Sequence, residues 1–169
     1  SGFVQIVSEV LSIDPSQVEI IQLDSKMSPA APPSGGSQVT YSVAGPIRKA
    51  SEIVKDQLAD FAAEHFEASK EDLVFENGSI HVSGNPNQSV SLGNLAKKAE
   101  GEKGGNGPII ASASESLHNN APAASVHAVR VKVDVETGVV TPLQYIAIQD
   151  VGFAINPMLI EGQMHGGVL

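Results

Sequence analysis

Apolar positions in the first part of the chain recur at three- and four-residue spacing. Phe3, Val7, Val10 and Leu11 share one face of an opening amphipathic helix. Val18 to Leu23 is a β-branched apolar run, short enough for a buried strand. Asp24 to Ser37, rich in Pro, Ser, Ala and Gly, predicts a long loop, and loops of that length are generally functional or disordered. The longest periodic stretch follows. Val43, Ile47, Ala50, Val54, Leu58 and Phe61 hold one face of a second helix, with Lys49, Glu52, Lys55 and Asp56 mostly off it.

The period then shortens. Leu73 to Glu76, Asn77-Gly78 and Ser79 to Ser83 predict a hairpin with a type I′ turn, since Asn and Gly accept the positive φ that turn needs. Ser91 to Ala99 predicts a short helix, and the glycine-rich stretch around 100–108 a flexible loop. From Ser125 to Val135 apolar and polar residues alternate, with Val129, Val131, Val133 and Val135 on one face and Arg130, Lys132 and Asp134 on the other. Glu136-Thr137-Gly138 turns the chain into a partner strand from Val139 to Gln149, where Pro142 predicts an edge position or a bulge. Asn156-Pro157 supplies a cap and a first-turn proline for a last helix. Strands and helices in this irregular order predict an α+β fold, a mixed sheet with packed helices, in one partial domain over residues 1–169. The first apolar stripe starts almost at Ser1 and the last helix ends on apolar Val168-Leu169, so both ends read as cut inside structural elements.

Composition adds exclusions. Apolar residues make up 41% of the 169 residues and charged residues 17%, as in soluble globular chains. No apolar run approaches the ~18 residues of a membrane span, and no secretory signal is visible, so a cytoplasmic location is expected. With a net charge of −9, and Lys97, Lys98 and Lys103 interrupted by Glu100 and Glu102, nucleic-acid binding is not expected. The absence of cysteine removes disulfides, thiolate metal sites and a cysteine nucleophile from this chain. His65, His81, His118, His127 and His165 have no metal-ligand spacing, and Gly101 to Gly107 lacks the Gly-Lys-Ser/Thr of a phosphate loop. Ser112, Ser114 and Ser116 lack a nucleophile elbow.

Two segments carry candidate chemistry. In Ser34-Gly35-Gly36-Ser37-Gln38-Val39-Thr40, glycines let the backbone approach a ligand, consecutive N–H groups can cradle an anion, and the hydroxyls of Ser37 and Thr40 can donate to phosphate oxygens. The same residues also suit a plain loop ending in a helix cap. In Glu161-Gly162-Gln163-Met164-His165-Gly166-Gly167, three glycines stand inside a helix, each less favourable than Ala by about 1 kcal/mol. Either something approaches that backbone closely, with Gln163 beside it as donor and acceptor, or two helices pack tightly there.

Taken together, Gly35-Gly36-Ser37 with Thr40, the strand Val129 to Asp134, Asp150-Val151-Gly152, Asn156-Pro157, Glu161-Gly162-Gln163 and Gly166-Gly167 resemble, in order, the molybdenum-binding subunit of molybdenum hydroxylases. That family includes the xanthine dehydrogenase, aldehyde oxidase and carbon monoxide dehydrogenase types. Ser1-Gly2-Phe3-Val4-Gln5-Ile6 is similar to the helix after its glutamine-glycine cofactor motif. The resemblance implies that Ser34, Gly35, Gly36, Ser37, Gln38 and Thr40 contact the phosphates or dinucleotide tail of molybdopterin, and that Gln163 approaches the pterin region. The cofactor would be plain molybdopterin or its cytosine dinucleotide form, not tightly held by this chain alone. Partners implied are the remainder of the molybdenum subunit and iron–sulfur and FAD subunits or domains, with self-association of the fragment when these are missing. The intact enzyme would oxidise aldehydes or heteroaromatics. Gln38 and Phe153 stand where Arg is frequent, and the family's catalytic Glu lies beyond the motifs seen here, so no catalytic residue and no metal ligand is assigned. The rival reading is a stand-alone interaction domain that keeps the fold without the cofactor.

Overall fold

In the computed structural model, which describes residues 2–21, 24, 26, 33–101, 107–116 and 122–169, the opening helix α1 spans Gly2–Leu11. It packs against α2, Val39–Phe66, the helix predicted by the longest periodic stretch. Glu67, in the left-handed conformation at φ 51°, ends α2 and donates its N–H to the carbonyls of Ala63 and Glu64. A capping box at Asp14 and Gln17 then shapes a short 3₁₀ turn, Pro15–Gln17.

The residues after that turn depart from expectation. Val18 to Ile21 join no sheet, and Ile20 and Ile21 are 50% and 73% exposed; Gln22 and Leu23 lie outside the described residues. A β-branched run forms a strand only where a neighbour pairs with it and covers one face, and no described residue does so here. Half of the predicted loop Asp24 to Ser37, residues 25 and 27–32, falls outside the described residues.

The hairpin forms as predicted. β1 (Leu73–Glu76) pairs antiparallel with β2 (Ser79–Val82), and Asn77 and Gly78 take φ values of 49° and 74°. A third strand, β3 (Ser89–Ser91), pairs with β2, and α3 (Leu92–Gly101) follows at once. Glu100 and Gly101, read as loop, complete α3, and 102–106 lie outside the described residues. The core forms where α2, the sheet and α3 meet. Leu58, Ala62, Ile80 and Leu95 are buried there, with Val54, Phe61, Phe75, Val90 and Ile109 packed around them. Gly78 ties these pieces together, donating to Ser12 O (2.7 Å) and accepting from Leu92 N (3.0 Å).

The chain divides into two units, Ser1–His118 and Asn119–Leu169. In the second, β4 (Ala124–Val133) and β5 (Val140–Asp150) form an antiparallel ribbon. Arg130 faces Gln144 while Val131 faces Pro142, so Leu143 is the extra residue of a bulge beside Pro142, as that proline predicted. At the ribbon's turn the Asp134 carboxylate accepts from the N–H groups of Thr137 (3.1 Å) and Glu136 (3.0 Å), which hold its pKa below the ordinary carboxylate value. Asn156 Oδ1 accepts from Leu159 N at 3.1 Å to cap α4, Pro157–Val168, with Pro157 at its first position. The α+β class holds. Among the described residues, two antiparallel sheets stand in place of one mixed sheet, because short hairpin connections join the neighbouring strands in each.

Candidate cofactor-binding site

The six clustered candidates from Ser34 to Thr40 lie at the start of α2. Gly35–Ser37 forms a 3₁₀ turn in which Gly36 and Ser37 both take positive φ, 64° and 56°. Two consecutive left-handed residues turn the chain sharply into the helix, and the first must be one that tolerates that region easily. Added side-chain bulk at Gly35 would meet no described residue within 4 Å.

Neither serine serves as a helix cap. The N-cap is Gln38, whose side chain makes no capping hydrogen bond, and neither does that of Ser34 before the 3₁₀ turn. No acidic residue occupies the first turn of α2. Among the described residues, the first N–H groups of this 28-residue helix, at Val39, Thr40 and Tyr41, thus have neither a capping bond from the N-cap side chain nor an acidic residue in the first turn. Residues 33–37 and Thr40 are exposed around them. The donor set is backbone N–H, three hydroxyls and one amide, with no cation. Such a set suits phosphate oxygens.

Gln163 stands in the second unit, on α4, and is exposed. Glu161, Met164, His165 and Val168 line a cleft of about 650 Å³ shared with Tyr145 and Ala147 of β5. Helical geometry puts Gly162, Gln163, Gly166 and Gly167 on the opposite face of α4. A Cβ added to any of these three glycines would meet nothing within 4 Å. Tight packing inside the second unit therefore does not explain them, and within that unit the glycine face is open.

Among the described residues no group of His, Asp or Glu could hold a metal ion. His81 is buried in β2, and His127 shares a 2.8 Å hydrogen bond with the Tyr145 hydroxyl. No described helix is long and apolar enough to cross a membrane. One arrangement had no sequence signal: Glu115 rests on α2 at Gly45 and Lys49, far from it in the chain.

Helices and antiparallel sheets together make the α+β class of fold. The chain belongs to the molybdopterin cofactor-binding domain family, which matches residues 1–169. It is 30% identical over 168 residues to the xanthine dehydrogenase molybdenum-binding subunit of Escherichia coli O157:H7, covering 98% of this chain and 22% of that protein. Quinoline 2-oxidoreductase from Pseudomonas putida 86 has a similar structure, with a TM-score of 0.84 and 28% identity over 99% of this chain and 22% of the other. Reconstituted CO dehydrogenase from Oligotropha carboxidovorans gives 0.87 and 25% identity over 98% of this chain and 21% of the other. The chain thus spans about a fifth of the length of the relatives it matches.

Proposed function

We propose that this chain holds part of a molybdopterin cofactor within a larger oxidoreductase subunit. The open N-terminus of α2, led by the left-handed Gly36 and Ser37, is the observation that carries the reading. Its N–H groups, with the hydroxyls of Ser34, Ser37 and Thr40 and the Gln38 amide, bind the phosphate oxygens of the cofactor tail. A plain phosphate and a cytosine dinucleotide would present the same oxygens to them. Gln163, on the glycine face of α4, is assigned separately to the pterin region. The cofactor, when bound, supplies the redox centre; this chain's residues bind and orient it.

The intact protein, by its likeness to xanthine dehydrogenase and quinoline oxidoreductase subunits, oxidises an aldehyde or a heteroaromatic carbon. Iron–sulfur and FAD subunits or domains receive the electrons, and the assembly works in the cytoplasm. A stand-alone interaction domain is the weaker reading, because the family match runs through both candidate segments.

The test is Ser37→Asp in the intact protein. A carboxylate there sets like charges together beside a bound phosphate. Folded protein with strongly reduced molybdenum and pterin content is expected, while Ser83→Asp, on an exposed turn after β2, keeps its content. If the turn only starts the helix, Asp is tolerated: it adopts left-handed backbone readily and its charge favours the helix N-terminus. Full occupancy in Ser37→Asp would therefore reject the phosphate assignment.

A further inference from the structure

Helix α2 has a weak point close to its proposed cofactor-binding end. Pro46 lies inside the helix and has no N–H, so the bond that would reach the Ser42 carbonyl is missing. Gly45 precedes it. A residue before proline is pushed away from helical backbone, a clash that glycine relieves, but glycine is itself a poor helix former. The turns from Val39 to Gly45 are therefore joined to the rest of α2 by a thinned hydrogen-bond ladder.

A side chain from a distant segment lies across this point. Glu115 belongs to the described stretch 107–116, which runs beside α2 and is also held by Gln57 Nε2 donating to Ile110 O at 3.3 Å. One Glu115 oxygen, Oε1, pairs with Lys49 Nζ at 3.0 Å, beyond the proline. The other, Oε2, occupies the place a Cβ on Gly45 would take, before the proline. One carboxylate thus touches both sides of the interruption. We propose that Glu115, seated on Gly45 and paired with Lys49, is a positioning residue that clamps the first two turns of α2 to the remainder of the helix. The cofactor consequence, that the clamp keeps the N–H groups of the first turn aligned for a phosphate, rests on the function proposed above.

Both side chains are partly exposed, 42% for Lys49 and 33% for Glu115, and pairs of that kind add little to global stability. The expected effect is local opening. Hydrogen exchange of the intact protein, stripped of cofactor, reads it directly. In Glu115→Ala the amides of Ser42 to Gly45 should exchange roughly fivefold faster, while those of Leu58 to Ala62, in the core, stay unchanged. Lys49→Met should give the same selective pattern, because the clamp needs both ends. Equal acceleration along all of α2, acceleration in only one variant, or none overturns the proposal. The core amides report any variant that fails to fold.

A second readout separates this inference from the function it rests on. Molybdenum content per folded subunit of Glu115→Ala should fall. Selective opening with full molybdenum content would leave the clamp standing and remove the cofactor from the start of α2.

Discussion

Ser8 is 7% exposed in α1, and its hydroxyl has no hydrogen-bond partner among the described residues. A buried hydroxyl without a partner forgoes its hydration with nothing in return, a penalty of about 1–3 kcal/mol. Ala is also the better helix former. Ser8→Ala should therefore raise the melting temperature, by an amount corresponding to about 1 kcal/mol. A lower melting temperature would mean that the hydroxyl bonds a group or water inside the fold. Ser51 is the contrast, equally buried but donating to Ile47 O at 2.9 Å within its own helix. The pattern of apolar positions reveals neither state, because a serine on a helix face reads the same with or without a partner.

At the level of elements, the glycines of α4 separate two explanations that the sequence leaves equal. An added methyl group at Gly166 meets nothing described within its own unit, and Ala stabilises a helix interior by about 1 kcal/mol over Gly. Gly166→Ala should therefore increase the helix content or thermal stability of this chain while lowering cofactor occupancy in the intact protein. Reduced stability of the isolated chain would show that the glycine serves packing instead. Helices α1 and α2, the Asn-Gly hairpin and the Asn156 cap were legible because each depends on residues within a few positions of one another. β3 was not. Its Ser89-Val90-Ser91 carries no strand signal and exists because β2 offers an edge on which Ile80 and Val90 pair. Val18 to Ile21 is the converse, strand-like residues with no edge to join.

Over the whole molecule the two units differ in how their apolar residues are covered. Unit 1 has a buried cluster around Leu58, Ile80 and Leu95, whereas every residue of β4 and β5 in unit 2 is exposed. Val126, Ala128, Ile146 and Ile148 share one face of the ribbon, and Val129, Val131, Val133 and Tyr145 the other. A two-stranded ribbon is marginal in water by itself, and uncovered apolar faces drive association. The 169-residue chain, purified alone, should therefore self-associate, with a sedimentation coefficient that rises with concentration. A monomer at high concentration would show that the ribbon tolerates exposure.

The sequence by itself determined which stretches are helical, where the hairpin turns, where the last helix begins and to which family the chain is related. Each of these rests on short-range spacing or on an ordered set of motifs. It also held the six clustered candidates from Ser34 to Thr40 and Gln163, since glycines at unfavourable positions are visible without coordinates. The tertiary structure decided what spacing cannot express. It showed that Gln38, not a serine, begins α2 and leaves the first turn without a side-chain cap, and that the glycine face of α4 looks away from its own sheet. It also brought Glu115 onto Gly45 and Lys49. Contacts between residues distant in the chain follow from how the packed elements meet, and no local pattern of apolar and polar residues encodes that meeting.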